Sequence, residues 1–148
     1  ENRGKALSSP RATALMRLKT NIERRLIEPG LKPEQVAVEA GISVRYANAL
    51  LAEEHSSIER YVAERRLERC RDALEDAAQA HRSISEIAFK WGFSDLSHFG
   101  RRFKARYGLT PTGYRRRAEH AAAQRPLAEP QRPLAGRVRA GKAVREPA

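Results

Sequence analysis

The side chains able to do covalent or acid–base chemistry are few, and their spacing leaves them without partners. A single cysteine, Cys70, excludes an internal disulfide, and no CxxC pair or Cys/His cluster stands at zinc spacing. There is no Gly-rich phosphate loop, GxSxG elbow or HExxH pair. Ser97 and His98 are adjacent, but consecutive helix residues point about 100° apart, so they do not make a nucleophile and its base. Glu23, Glu53, Glu54, Asp72, Glu75 and Asp76 fall at helical-face spacings with no partnering histidine or metal set, and read as solvated or arginine-paired carboxylates. No catalytic group, metal site or cofactor is expected, and an enzyme is not the reading these residues support.

What remains is the chemistry of cations. The 148 residues carry 29 Lys plus Arg against 18 Asp plus Glu, a formal net charge of +11, and 23 of those cations are arginine. A GC-rich genome produces an arginine bias without selection for binding, so position says more than the total. Residues 1–20 carry +4, 21–81 carry −3, 82–120 carry +6 and 121–148 carry +4. A basic field concentrated in one part of a folded region is the footprint of a polyanion binder, whereas evenly mixed charge is a solvated surface. The apolar runs are only a few residues long, far short of the roughly 20 that span a bilayer, and no secretory signal opens the chain. A soluble, cytoplasmic protein without a membrane partner is expected. The first residue is Glu1, which suggests a processed chain or a fragment.

The elements that must position these cations are helical almost throughout. Leu15, Leu18, Ile22 and Leu26 step by three and four before Pro29-Gly30, predicting a helix over 12–27. A short helix opens at Pro33 with Val36, Ala37 and Ala40 inward and ends at Gly41. A third, from about 44 to 53, buries Ala47, Leu50 and Leu51. Ser56-Ser57-Ile58-Glu59 and Ser83-Ile84-Ser85-Glu86 read as capping boxes, the first opening a long helix to about 78, the second a short one with Ile87, Ala88 and Trp91 inward. Leu96, Phe99, Phe103 and Tyr107 mark the next helix, and Thr110-Pro111 caps a last one containing Tyr114. No period-two stretch stands out, so the fold class is all-α.

Two short-helix pairs repeat at a spacing of 51 residues, Ala37 with Gly41 and Ala88 with Gly92. In a helix-turn-helix the small residue lets the second helix cross close to the first, and glycine supplies the left-handed turn. After Gly41 the inward positions are Ile42, Ala47 and Leu50; after Gly92 they are Phe93, Phe99 and Phe103, in a turn one residue longer. A helix of about 30 Å between the units compares with the roughly 34 Å between successive major-groove faces of one duplex.

The segment ISEIAFKWGFSDLSHFGRRFKARYGLTPTGYRRR closely resembles the signature of the AraC/XylS-type transcription regulators, and SIERYVAERRLERCRDAL resembles their linker helix. The resemblance implies a seven-helix domain of two helix-turn-helix lobes joined by a long linker helix. Residues 1–11 would be a linker from an upstream domain, and 12–120 the DNA-binding domain, with lobe one at 12–56, linker helix at 57–78 and lobe two at 79–120. Residues 121–148, rich in Ala, Pro and Arg and holding QRPLA twice, are expected to be a disordered basic tail. Where the family often has Leu, Phe and Gly, this chain has Ala47, Leu51 and His55; His55 must end its helix without glycine's freedom.

The function so implied is sequence-specific duplex-DNA binding and transcription regulation by two recognition helices in adjacent major grooves. By the resemblance, Arg45, Asn48 and Ala49 face base edges in the first lobe: Arg45 suits guanine, Asn48 adenine, and Ala49 the thymine methyl. In the second, Ser97 and Arg101 lie one turn apart and can face the groove together. Tyr46, Arg102, Lys104, Arg115 and Arg116 are the expected phosphate contacts, although the cations of Arg115, Arg116 and Arg117 equally complement a helix's negative end. His98 is ambiguous, since a histidine beside a core phenylalanine is more often a packing residue than a reader; Trp91 and Tyr107 read as core. The implied partners are double-stranded DNA, RNA polymerase and an upstream ligand-sensing or dimerisation domain, in a nucleoid-associated protein. The alternative is a helical protein-interaction module, or a co-regulator with weak, mainly non-specific DNA binding.

Overall fold

The computed structural model describes residues 9–126, and every element among them is helical. In chain order these are α1 (Pro10–Arg25), α2 (Pro33–Glu39), α3 (Val44–Ala52), α4 (Ile58–Glu75), a 3-10 turn (Ala77–Gln79), α5 (Ile84–Lys90), α6 (Leu96–Tyr107) and α7 (Pro111–Ala123). The all-α, seven-helix architecture is the one the periodicities anticipate. The expectations for residues 1–8 and for the tail from 127 onward lie outside the described residues.

Several boundaries differ from the sequence expectation, each for a local reason. Helix α1 begins two residues earlier than expected: Ser9 caps it, its hydroxyl accepting the Ala12 N–H at 3.1 Å, and Pro10 occupies the first helical position, where its missing N–H costs nothing. The cap of α4 is Ser57 rather than Ser56, so the third helical residue is Arg60, whose N–H reaches the Ser57 hydroxyl at 3.2 Å. Ser56 instead donates to the Ser57 carbonyl. The linker helix stops at Glu75 because Asp76 leaves the helical region and its carboxylate accepts from Ala78 N–H at 3.0 Å, turning the chain into the 3-10 segment. At 18 residues, α4 is about 27 Å long. Helix α7 runs to Ala123, three residues into the stretch expected as tail.

Two apolar clusters divide the molecule. The first gathers Leu18, Ile22 and Leu26 of the α1 segment, Val36 and Ala37 of α2, Ala47 and Leu51 of α3, and Ile58 and Val62 from the front half of α4. The second gathers Leu67, Cys70, Ala73 and Leu74 from the back half of α4 with Ile87, Ala88, Phe93, Phe99 and Phe103. The linker helix is therefore no bare spacer: each half belongs to one lobe's core. Half-buried Trp91 packs against both clusters. In lobe two an aromatic ladder runs down α6, with ring centroids 4.8 Å apart for Phe93–Phe99, 5.8 Å for Phe99–Phe103 and 4.7 Å for Phe103–Tyr107. Tyr114 of α7 meets Phe103 edge-on. Each fully buried aromatic contributes about 1.5–3 kcal/mol of transfer free energy, which is what holds α6 to the lobe.

Candidate nucleic-acid interface

The two helix-turn-helix units have the same backbone hydrogen bonds 51 residues apart. Ile42 N–H reaches the Ala37 carbonyl at 3.1 Å, and Phe93 N–H the Ala88 carbonyl at 3.1 Å; Gly41 bonds Val38, and Gly92 bonds Phe89. Both glycines sit at positive φ, +73° and +90°, where a side chain is strained. The second helix of each pair is then capped, α3 by Ser43 accepting from Tyr46 N–H and α6 by Asp95 accepting from His98 N–H. The Asp95 cap lies one residue further from its glycine than Ser43 does, so the longer second turn is real. The backbone N–H of His98, with that of Ser97 behind it, holds the exposed Asp95 carboxyl below its ordinary range.

On α3 the buried positions are Ala47, Leu50 and Leu51, and the opposite face presents Arg45, Tyr46 and Ala49 to solvent. Asn48 is placed otherwise than expected. Its Oδ1 accepts the Ile58 N–H at 2.9 Å, so the amide caps the first turn of α4 instead of projecting from the outward face. The acidic balance of lobe one is largely internal: Glu53 pairs with Arg11, Glu54 with Lys19 at 2.7 Å, Glu39 with Arg25 at 2.6 Å, and Glu23 with Arg65 and Arg69.

On α6 the buried stripe of Phe99 and Phe103 leaves Ser97, His98, Arg101, Arg102, Lys104 and Ala105 exposed. His98, left ambiguous by the sequence, is exposed and stands between Ser97 and Arg102 on the outward face of α6. The helical spacing of 97, 98, 101, 102 and 105 was the signal for this, outweighed by its adjacency to Phe99. Among the described residues, Arg45, Arg101, Arg102, Lys104, Arg116 and Arg117 make no salt bridge. Arg115 differs: its guanidinium donates to the Arg82 carbonyl at 2.7 Å, tying α7 to the loop before α5, while Arg116 and Arg117 remain exposed. Cys70 is fully buried, and burial pushes its thiol up to about 12, so it is an inert core residue at neutral pH. No group of three or more His, Cys, Asp or Glu among the described residues could hold a metal ion, and no described helix is long and apolar enough to cross a membrane.

The helix-turn-helix domain family matches residues 36–117, more than half of the chain. Transcriptional activator RhrA of Rhizobium meliloti is 35% identical over 116 residues, covering 76% of this chain and 37% of the relative. Transcriptional activator NphR of a Rhodococcus species is 32% identical over 111 residues, 75% of this chain and 32% of the relative. The chain thus spans about a third of the length of these relatives. Among solved structures, a DNA-binding transcriptional dual regulator of Escherichia coli superposes with a TM-score of 0.64 at 25% identity, over 72% of this chain and 93% of that one. A probable AraC family transcriptional regulator of Rhodopseudomonas palustris gives 0.63 at 26%, over 71% and 96%. Two helix-turn-helix units repeated on one shared helix, the family match across both of them and these likenesses together place the chain in the AraC/XylS-type family of transcription regulators.

Proposed function

We propose that this chain is the DNA-binding part of a longer transcription regulator, and that it sets α3 and α6 into successive major grooves of one duplex. The observation that carries the reading is the repeated turn geometry, which presents a capped second helix with an outward polar face from each lobe. In this reading Arg45 and Ala49 of α3, and Ser97, His98 and Arg101 of α6, meet base edges, while Tyr46, Arg102, Lys104 and Arg116 meet phosphates. Asn48 and Arg115 act inside the protein, as the cap of α4 and the tie to the loop before α5. Lobe two supplies most of the electrostatic attraction, since its recognition helix alone carries three exposed cations outside any salt bridge among the described residues. RNA polymerase is the proposed partner for activation, by analogy with the activator relatives, and a sensing or dimerising segment is proposed elsewhere in the parent protein.

The test is duplex binding by the 148-residue chain across a salt series, on random DNA and on a site selected from a random pool. The three cations assigned to phosphates, Arg102, Lys104 and Arg116, give a slope of log K against log salt of about −3. Selection should return a bipartite site with its halves about one helical turn apart. Absence of binding at low ionic strength would favour the protein-interaction module and sink the reading.

A further inference from the structure

We propose that Arg66 is the positioning residue that fixes the angle between the two lobes, and with it the spacing of DNA half-sites the protein accepts. This rests on the two-groove reading above. Arg66 lies at the middle of α4, after Val62 of the first core and beside Leu67 of the second. Its guanidinium reaches out of the helix to the end of α1, with Nε donating to the Leu26 carbonyl at 2.9 Å and Nη2 to the Glu28 carbonyl at 2.5 Å. The Leu26 carbonyl, at the C-terminus of α1, lacks an intrahelical partner and stands at the negative end of the dipole, while the Glu28 carbonyl in the following turn also accepts from Leu31 N–H at 3.3 Å; a forked cation reaches both.

Lobe two closes on the same point. A Cβ on Gly92 would lie 2.5 Å from the Leu26 carbonyl oxygen and 2.8 Å from the Arg66 Nε. The α5–α6 turn is therefore seated directly on the contact between α1 and α4, so that one guanidinium joins elements of both lobes. Beside it Trp91 packs against both cores, and the Arg69 guanidinium stands 5.6 Å from its ring centroid while donating to Glu23 at 2.9 Å. Arg66 itself makes no salt bridge among the described residues, and burial lowers its pKa with no carboxylate opposing the shift. An apolar side chain of similar length would fill this place without the desolvation cost of a cation. What the guanidinium adds is direction: two hydrogen bonds that admit one orientation of lobe one against α4, with the lobe-two turn stacked on it.

The position matters because DNA is periodic. A change of one base pair between half-sites moves the second by about 3.4 Å and turns it by about 34°. A rigid pair of lobes rejects that change; a hinged pair follows it. Probes with the selected half-sites at the native spacing, at one and two base pairs more or fewer, and with one half-site scrambled, are titrated with the unaltered chain and with Arg66→Gln and Arg66→Lys. The unaltered chain should lose about tenfold in affinity per base pair of offset. Arg66→Gln should flatten that loss to about threefold or less, with single-half-site binding within about twofold of the unaltered chain, and Arg66→Lys, able to satisfy one carbonyl, should fall between. A purely structural role would lower every affinity together and leave the spacing profile unchanged; that result overturns the proposal. No spacing dependence in the unaltered chain would overturn the two-groove reading itself. A DNA-free readout keeps the test independent: spin labels on Ala49→Cys and Ala105→Cys, with buried Cys70 unreactive, report the distance between α3 and α6. The distribution should broaden in Arg66→Gln, and an unchanged width overturns the lock. Should Arg66→Gln fail to fold, Arg66→Lys carries both measurements.

Discussion

An asparagine on a recognition helix can spend its amide on a base edge or on the protein's own backbone, and the neighbouring chain decides which. At Asn48 the start of α4 lies within reach, and the Ile58 N–H would otherwise be one of the unpartnered donors of a helix's first turn. Asn48→Ala should therefore lower stability by about 0.5–2 kcal/mol in urea unfolding while leaving base preference at the selected site unchanged. A shift in preference at constant stability would return Asn48 to the reading set. Arg101 faces the other way, exposed on α6 and outside any salt bridge among the described residues. Arg101→Ala should cost about 1–3 kcal/mol on the selected site and much less on random DNA. Equal losses on both would make it a phosphate contact.

At the scale of elements, the helix ends decide where the reading helices point. Helix α3 ends through His55, the sole non-glycine residue at positive φ among those described, at +58°. The Ser56 N–H then bonds back to the Leu51 carbonyl at 3.0 Å, closing the helix and aiming the chain into α4. The fit costs strain, because the left-handed region disfavours a side chain by about 1–2 kcal/mol. His55→Gly should accordingly raise stability by about 0.5–1 kcal/mol in thermal or urea unfolding, with DNA preference intact. A destabilised His55→Gly would mean that the imidazole makes a contact worth more than the strain. The two capping boxes expected for α4 and α5 illustrate how far such signals reach: at α5 the serine half is present, the Ser83 hydroxyl accepting from Glu86 N–H at 3.1 Å, with no return bond to the Glu86 carboxylate among the described residues, whereas at α4 the register moves by one to Ser57. Two consecutive serines offer two equivalent caps, and the packing of Ile58 in the first core chooses between them.

Across the whole molecule, the linker helix works as a shared wall. An alanine inserted after Glu75 enters the turn beyond the last core residue of α4, Leu74, and leaves both lobes seated on the helix. An alanine inserted after Ala63 falls between Val62 and Leu67, turning one core contact by about 100° against the other. The first insertion should keep specific affinity within about threefold, and the second should reduce it at least tenfold, or about 1.4 kcal/mol, with helicity by circular dichroism largely retained. Equal losses from the two insertions would contradict the division of α4 between the cores.

Helix periodicity, the serine and threonine caps, the glycine turns and the 51-residue repeat are local properties, carried by neighbours three or four residues apart, and they were legible in the chain before any packing was known. The all-α class, the two helix-turn-helix units, the longer second turn and the exposure of Arg45, Ser97 and Arg101 follow from them. The commitments of side chains across long sequence separations were not legible. That Asn48 caps α4, Arg115 holds the Arg82 carbonyl and Arg66 reaches the end of α1 depends on which groups arrive within about 3 Å of one another after folding. A hydrogen bond is decided by tenths of an ångström and by direction, whereas periodicity specifies only a face. The tertiary structure therefore decided which polar side chains are turned to the protein itself and which are left exposed.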